Sequence, residues 1–405
     1  MILSNALMKN IRKHASMVDY YQKNQFNPVP FAIENKKVWN ELILNRKNLY
    51  ERHLGIPFLT FKGKSVLEFG CNSGENSLVL ADAGAKLTLV EPNGQALPRL
   101  EMLFDKFGLS QNIVSLEQCG IADYSSSKKF DIVLAEGFLF SLPNREEMIE
   151  KISKLLVPGG IGVISFNDRY GALVELIKRA VLWRACELKS VDPQDHESLE
   201  IAQTLFGYDF SKLQSTRPFE AWWKDMLVQP FIIDKYFWSF QELLPLLQVS
   251  GLETLSTSPK WILNGHFNWY KNRPEAKEIN KRALSDWARV LPFIISGRKM
   301  DGTSAQPASD DVINAVAGLT KTISDYASDE ARAGALDAIS YPELFDAYLT
   351  GFDNENLERL SDDIRNIITA LKTGNYNCLM VEYEKAQVLR SNWGAPYHYL
   401  SFVKT

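Results

Sequence analysis

The chain has 405 residues, of which 45% are hydrophobic and 23% charged, and its formal net charge is −4. This is the composition of a globular protein with two or three structural units. The slight negative charge argues against a nucleic-acid partner. The four cysteines, Cys71, Cys119, Cys186 and Cys378, have no CxxC spacing, which argues against a disulfide scaffold or a zinc ribbon and favours a reducing compartment.

The sequence carries no pattern of membrane targeting or metal binding. No apolar stretch reaches the length of about 18 residues that a membrane-spanning helix requires, and the N-terminal residues lack the cleavage site of a signal peptide. No two histidines or carboxylates have the spacing of metal ligands. We therefore expect a cytoplasmic protein without a membrane partner or a bound metal.

Short apolar runs alternate with helical patterns between Lys62 and Asp168. Continuous apolar strands separated by helices are typical of a parallel sheet that is covered on both faces. The pattern therefore predicts a doubly wound, mostly parallel α/β fold with seven strands. Its first five strands are expected at Ser65–Phe69, Lys86–Glu91, Ile113–Glu117, Phe130–Ala135 and Ile161–Ser165, with helices at Glu75–Ala83, Gln95–Phe107 and Asn144–Leu156.

The end of the sheet can be assigned in two ways. A helix at Ser239–Val249 is followed by a sixth strand at Glu253–Ser258. In the preferred version, a helix near Pro274–Val290 then leads into a seventh strand at Pro292–Ser296. In the alternative version, the terminal segment Tyr397–Val403 completes the sheet, and residues 264–395 are an insertion.

Three further regions surround the predicted sheet domain, which spans residues 61–300. Residues 1–60 are expected to form a helical N-terminal segment, and residues 168–235 a helical insertion that could close over a bound ligand. The small, polar segment 301–310 predicts a linker, and residues 301–405 a helical C-terminal domain that could mediate a homodimer. Aromatic side chains of the insertion line an apolar pocket or form the insertion's own core: Trp222, Trp223, Phe237 and Trp238.

A glycine-containing turn between the first strand and its helix is the strongest chemical signal. Gly70 and Gly74 permit backbone angles that other residues avoid and let a ligand approach the main chain. Glu68 lies two residues before the turn, where a carboxylate suits a ligand with a positive amino group. Glu91 ends the second strand, where a carboxylate can accept hydrogen bonds from ribose hydroxyls. Because the spacing G-x-G-x-x-G is absent, a nicotinamide or flavin site is disfavoured.

The stretch from Lys64 to Asn93 resembles the first motifs of the class I methyltransferase family. Glu68, Gly70 and Gly74 match the family's acid and glycine-rich turn, while Asn72 replaces its middle glycine. Asn tolerates left-handed backbone angles better than most residues. Leu155–Ser165 and Tyr236–Pro259 resemble later motifs of the family. The resemblance covers residues 62–168 and, less closely, 236–299, and it implies S-adenosyl-L-methionine as the cofactor.

The resemblance also implies roles for individual residues. Glu91 is assigned to the ribose hydroxyls, Asp123 to the adenine amine, and Glu136 to a position beside the methionine half of the cofactor. The resemblance also implies that residues 1–60 cover the cofactor, with Tyr21 and Arg46 as candidates for contact with its carboxylate. Two loop residues complete the predicted set: Cys71, interpreted as a small side chain and not as a nucleophile, and Pro92.

A catalytic base is harder to assign from the sequence. Methyl transfer from a sulfonium depends mainly on holding a nucleophile in line with the methyl group, although a hydroxyl acceptor usually needs a base as well. Asp168, after the fifth strand, and His266, after the sixth, are the candidates. Asp168 could instead begin the next helix.

These observations predict a methyltransferase that acts on an O or N atom of a small molecule, in a biosynthetic role. Two alternatives stay open. One is a methyltransferase for a protein or a carrier-tethered intermediate. The other is a non-catalytic protein that binds S-adenosylmethionine and uses the fold to bind a partner.

Overall fold

A computed structural model describes residues 19–20, 33, 35–213, 218–262, 274–298, 306–328 and 334–405 of the chain. The strands are β1 (Ser65–Phe69), β2 (Lys86–Val90), β3 (Ile113–Glu117), β4 (Phe130–Ala135), β5 (Leu156–Asn167), β6 (Leu252–Ser258) and β7 (Tyr397–Lys404). The helices of the first two thirds of the chain are α1 (Lys36–Lys47), α2 (Glu75–Asp82), α3 (Leu97–Lys106), α4 (Arg145–Leu155), α5 (Leu173–Lys189), α6 (His196–Ser211), α7 (Phe219–Trp222) and α8 (Phe240–Val249). Those of the last third are α9 (Ala276–Ser296), α10 (Asp310–Tyr326), α11 (Ala335–Ala338), α12 (Glu343–Thr350), α13 (Glu355–Lys372), α14 (Tyr376–Lys385) and α15 (Gln387–Ser391).

The seven strands form one sheet in the order β3-β2-β1-β4-β5-β7-β6. Strands β1 to β5 pair in parallel, and β7 pairs antiparallel with both β5 and β6. The last four residues of β1 and of β2 are buried, as expected for strands covered by helices on both faces. The predicted doubly wound, mostly parallel sheet is confirmed.

Most predicted elements of the first half lie where the sequence indicates. The bounds of β1, β3 and β4 agree with the prediction residue for residue. Strand β5 is longer than predicted, since it begins at Leu156 and includes Pro158, Gly159 and Gly160. The register shift between Phe130 and Ile132 of β4 accommodates this extra length.

The predicted strand at Pro292–Ser296 is wrong, because these residues are the last part of helix α9. Leu291, Ile294 and Ile295 are fully buried, at spacings that place them on one side of a helix. The apolar run therefore marks a helix face and not a strand. The alternative topology is the observed one: β7 is inserted between β5 and β6, with Tyr397 opposite Asn167.

The described chain divides into two compact units. The sheet unit contains Val29–Asn167, Trp238–Ala288 and Tyr397–Thr405. The helical unit contains Met1–Pro28, Asp168–Phe237 and Arg289–Pro396. This division differs from the predicted one at residue 300, because the insertion after β5 and the C-terminal helices cluster in the same unit. The division falls within α9, between Ala288 and Arg289.

The core of the helical unit is aromatic. Trp222 is 1% exposed, and its ring packs against those of Phe206, Phe210, Phe219 and Trp393 at centroid distances of 5.2 to 5.8 Å. Trp222 thus belongs to the unit's own core, the second of the two predicted roles. Trp238 belongs to the sheet unit, where its ring packs on Phe166. Within the described residues, no helix is long and apolar enough to cross a membrane.

Candidate functional site

The turn that follows β1 adopts left-handed backbone angles at three positions. The φ angles are +71° at Gly70, +47° at Asn72 and +81° at Gly74. Two of these residues are glycines, for which a positive φ carries no steric penalty, and Asn is among the side chains that tolerate it best. Asn72 thus has a backbone angle at which glycine is usually found.

Close packing is a second reason why positions 70 and 74 require glycine. A Cβ atom on Gly70 would lie 2.6 Å from a ring carbon of Phe138, and one on Gly74 would lie 2.7 Å from Cγ of Leu100. Both distances are shorter than van der Waals contact, so a side chain would displace its neighbour. Gly70 was predicted from its backbone angles and from ligand approach, and the Phe138 ring is a further reason for it that the sequence did not indicate.

Glu91 fixes the geometry of the turn from the end of β2. Its Oε2 accepts a hydrogen bond of 2.6 Å from the Asn72 amide, and its Oε1 accepts one of 2.8 Å from the Asn93 amide. Burial raises the pKa of this carboxyl, and the two amide hydrogen bonds oppose the rise. Each oxygen keeps a further lone pair, so the carboxylate could also accept hydrogen bonds from two hydroxyls of a ligand.

Glu68 is a buried acid whose hydrogen-bonding capacity is not filled. It is 5% exposed, and its Oε2 makes no hydrogen bond within the described chain. Burial raises the pKa of Glu68 to about 7, although the nearby Ser77 hydroxyl and Arg46 guanidinium act in the opposite direction. A buried carboxylate oxygen without a donor is costly. A cationic donor from a ligand would remove that cost.

Arg46 and Glu136, both predicted as cofactor contacts, bind each other. The guanidinium donates hydrogen bonds of 2.8 and 2.9 Å to the two carboxylate oxygens, and Tyr50 donates a third, of 2.6 Å. Both charged side chains are at most 12% exposed. The Nε atom of Arg46 has no hydrogen-bond partner among the described residues. Burial opposes the charged form of Arg46, but Glu136 and Tyr50 together hold its pKa well above the usual range.

Tyr50 was not predicted as a site residue, although its spacing from Arg46 indicates that the two side chains can interact. Tyr50 follows Arg46 by four residues, a spacing that places two side chains on the same helix face. It is fully buried in a π-helical turn at Asn48–His53 and accepts a hydrogen bond of 2.8 Å from Arg46. A polar residue one turn after a buried arginine is a candidate partner for it.

A second hydrogen-bonded group, besides that of Arg46, Tyr50 and Glu136, connects the end of β4 through β5 to the start of β7. The Gly137 amide donates a hydrogen bond of 2.7 Å to Ser165 Oγ, which is 2.7 Å from the Tyr397 hydroxyl. This group was not predicted, because the preferred topology kept β7 out of the sheet. The Tyr397 hydroxyl can reach Ser165 only when β7 pairs with β5.

Of the other predicted residues, Cys71 lies within the turn itself. Asp123 and Pro92 are exposed, and Cys71 is buried, which raises the pKa of its thiol well above the usual range. Asp168 is fully buried, and its Oδ1 accepts hydrogen bonds from the Tyr170 and Gly171 amides. These hydrogen bonds hold the turn that precedes α5, and the helix itself begins at Leu173, so Asp168 does not start it as the alternative interpretation expected. Tyr21 and His266 lie outside the described residues.

Comparisons with known proteins identify a methyltransferase domain in the chain. A family model for a methyltransferase domain matches residues 45–256. The chain is 30% identical over 110 residues to the cypemycin N-terminal methyltransferase of a Streptomyces species, covering 26% of this chain and 43% of that protein. It is 28% identical over 149 residues to the sterol 4-C-methyltransferase strm-1 of Caenorhabditis elegans, covering 36% and 42%. Each match thus spans less than half the length of the curated relative.

The solved structures that resemble the chain do so only in part. The structure of PKMT2 from Rickettsia typhi is 20% identical, with a TM-score of 0.34, and the match covers 53% of this chain and 42% of that one. The glycopeptide N-methyltransferase MtfA complexed with sinefungin is 18% identical, with a TM-score of 0.27, and the match covers 31% and 54%.

The sheet and its acid-flanked turn are those of a class I methyltransferase domain that uses S-adenosyl-L-methionine. The family match extends over more than half of the chain, and the chain belongs to the methyltransferase-domain family.

The side chains present fit this cofactor. Glu68 has a buried oxygen without a donor, which suits the cofactor's ammonium group, and Glu91 has lone pairs for the ribose hydroxyls.

Proposed function

We propose that this chain transfers the methyl group of S-adenosylmethionine to an O or N atom of a small molecule. The observation that carries the proposal is the pair of buried acids at the carboxyl ends of β1 and β2, with the left-handed turn between them. In open α/β sheets, ligands bind outside the carboxyl ends of the strands. Glu68 would bind the ammonium group of the cofactor, and Glu91 its ribose hydroxyls.

The cofactor supplies a methyl group activated on a sulfonium, whose carbon–sulfur bond breaks as the acceptor's lone pair forms the new bond, leaving S-adenosylhomocysteine and a proton from the acceptor. The protein's part is to orient the two reactants. The Arg46–Glu136 pair lies at the end of β4 and would form a neutral, rigid wall for the site, because its charges balance. Such preorganisation lowers the entropic part of the barrier.

The names of the two curated relatives bear on the acceptor class. One curated relative is named for the N-terminus of cypemycin and the other for carbon 4 of a sterol, so their names span a peptide and a small molecule. Both matches cover only part of each protein. The biosynthetic role, the cytoplasmic setting, the closing insertion at residues 168–235 and a homodimer stay predictions.

The test is to follow a labelled methyl group. The purified chain is incubated with methyl-tritiated S-adenosylmethionine and a cell lysate separated by ultrafiltration into small molecules and proteins. The proposal expects label in the small-molecule fraction, with S-adenosylhomocysteine formed in equal amount. Label in the protein fraction alone would support the alternative that the chain methylates a protein or a carrier-tethered intermediate. Cofactor binding without transfer to either fraction would establish the non-catalytic alternative. The Glu91→Ala variant is the control for background methylation.

A further inference from the structure

The π-helical turn at Asn48–His53 contacts two strand ends of the sheet unit. Turns of this kind are uncommon and occur frequently at functional sites. The Tyr50 hydroxyl binds Glu136 at the end of β4. His53, the last residue of the turn, lies instead at the end of β6, where its Nδ1 is 3.1 Å from Ser258 Oγ.

The end of β6 lies at the edge of the sheet where ligands bind. Strand β7 pairs antiparallel with both β5 and β6, so β6 runs in the same direction as the parallel strands. Its last residue, Ser258, therefore lies at their carboxyl ends, outside which open α/β sheets bind ligands. In the sheet order, β5 and β7 lie between β4 and β6. With a strand spacing of about 4.8 Å, the ends of β4 and β6 are about 14 Å apart.

The His53 ring is held at one nitrogen and available at the other. Nδ1 shares its hydrogen bond with Ser258, and Nε2 makes no hydrogen bond within the part of the chain that the structure describes. A serine hydroxyl can donate to Nδ1, and Nε2 then carries a hydrogen that a ligand can accept. Because the ring is partly exposed, a ligand can reach this nitrogen.

Lys260 places a positive charge beside this ring. Its Nζ donates a hydrogen bond of 3.2 Å to the carbonyl oxygen of Arg52, the residue before His53. An ammonium has three donor hydrogens, so two remain for other acceptors. Burial lowers the pKa of His53, and the charge of Lys260 adds to the fall. The acid of the same turn, Glu51, accepts a hydrogen bond from the Phe58 amide. The end of β6 therefore favours a negatively charged ligand.

We propose that His53 and Lys260 bind an anionic group, a carboxylate or a phosphate, of the methyl acceptor. The inference rests on the proposed function and adds a substrate class to it. An ammonium and a ring N–H can both donate to such a group, and the hydrogen bonds are strengthened by its charge. Because the ends of β4 and β6 are about 14 Å apart, the anionic group would be remote from the atom that receives the methyl group. His53 and Lys260 would thus select the acceptor and take no part in proton transfer.

The experiment compares Lys260→Gln and His53→Gln with Lys86→Gln. Lys86 is the exposed first residue of β2, at the opposite end of the strands, so its variant is a matched control for the loss of a lysine charge. Each protein receives tritiated S-adenosylmethionine and increasing amounts of the small-molecule ultrafiltrate of a cell lysate. Calorimetric titration with S-adenosylhomocysteine measures the cofactor site separately.

The labelled product of the wild type shows the charge of the acceptor. It is passed over an anion exchanger at about pH 8, where carboxylates and phosphates are ionised, before and after treatment with a phosphatase. The inference expects the label to be retained by the exchanger. Label that phosphatase releases identifies a phosphate, and label that stays bound identifies a carboxylate.

We expect Lys260→Gln and His53→Gln each to need about tenfold more ultrafiltrate for half-maximal transfer, which is the scale of one lost hydrogen bond. Their affinity for S-adenosylhomocysteine should equal that of the wild type, and Lys86→Gln should change nothing. An untreated product that passes through the exchanger would overturn the inference and leave the proposed function intact. Transfer curves for Lys260→Gln and Lys86→Gln that coincide, or a loss of S-adenosylhomocysteine affinity in Lys260→Gln, would overturn it too. If the wild type transfers no label to the ultrafiltrate, the proposed function fails and the inference fails with it.

Discussion

The Tyr50 hydroxyl and the Glu136 carboxylate, 86 residues apart in the chain, are joined by a hydrogen bond of 2.6 Å. Arg46 binds both of them. The segment before β1 is therefore fixed to the end of β4 by a buried, charge-balanced group. Breaking one member of such a group leaves an uncompensated charge, which is more damaging than removing the whole pair.

This relationship gives the first prediction. Glu136→Ala should lower the free energy of unfolding by about 3–5 kcal/mol, because Arg46 would remain buried without its counter-charge. Adding Arg46→Met should restore part of the loss, which a double-mutant cycle by chemical denaturation measures. Glu150→Ala breaks an exposed pair with Lys154 and should change the stability by less than about 1 kcal/mol. Strictly additive losses for Glu136 and Arg46 would contradict the pairing.

The pKa of Glu68 predicts a pH dependence of cofactor binding. Burial raises this pKa to about 7, so the ionised form that binds an ammonium group is scarce at pH 6 and dominant at pH 8. The affinity for S-adenosylhomocysteine should rise about tenfold between pH 6 and pH 8. Calorimetric titration at three pH values measures it. In Glu68→Gln, this rise should be absent; a variant that keeps it would assign the pH dependence to another group.

The same raised pKa has a consequence for stability. The native state holds the Glu68 proton more tightly than the unfolded chain, whose pKa is near 4.5. The stability contributed by this residue is therefore full below about pH 4.5 and falls until about pH 7. Relative to the wild type, Glu68→Gln should gain stability across that window, by at most about 3 kcal/mol. If the difference in the free energy of unfolding between Glu68→Gln and the wild type is the same at pH 5 and pH 8, burial does not destabilise the ionised form of Glu68.

Asp168 should behave as a structural residue. Asp168→Asn keeps a side-chain oxygen that can accept hydrogen bonds from the Tyr170 and Gly171 amides. Methyl transfer by this variant should therefore be close to that of the wild type. Asp168→Ala removes the acceptor and should lower the free energy of unfolding by about 1–2 kcal/mol. Loss of transfer in the Asn variant, with its melting temperature unchanged, would instead identify Asp168 as the catalytic base.

The position of β7 predicts that a shortened chain will not fold. A fragment of residues 1–301 lacks β7 and would leave β5 and β6 without the strand that joins them. It should therefore show no cooperative thermal transition by circular dichroism. The full chain heated under the same conditions is the reference. A fragment that melts cooperatively and binds S-adenosylhomocysteine would show that the sheet does not need its terminal strand.

Local patterns in the sequence were sufficient for the first half of the fold. Strands such as β1 and β4 are short, mostly apolar runs bounded by turn residues, and this signal lies entirely within the run. The sheet's last strand depends on pairing between residues about 230 apart, such as Ser165 and Tyr399. No local pattern carries that information. The apolar run Pro292–Ser296 is equally compatible with a strand and with a buried helix end.

The candidate site, like the fold, could be predicted only where its residues lie close together in the sequence. Glu68, Asn72 and Glu91 lie within 24 residues of one another and share one motif, so spacing alone places them together. The pairing of Arg46 with Glu136 depends on how the segment before β1 packs on the sheet. Two residues that the sequence assigned separately to the cofactor are in fact partners.

The central claim is that the turn between Glu68 and Glu91 binds S-adenosylmethionine, and calorimetric titration of Glu91→Ala tests it most directly. Glu91→Ala removes both amide contacts and the carboxylate offered to the ribose, whereas Glu101→Ala, exposed on α3, is the control. The account predicts that Glu91→Ala weakens binding by about 1–3 kcal/mol and that Glu101→Ala binds like the wild type. Equal affinity in all three proteins would contradict the account and move the cofactor site elsewhere.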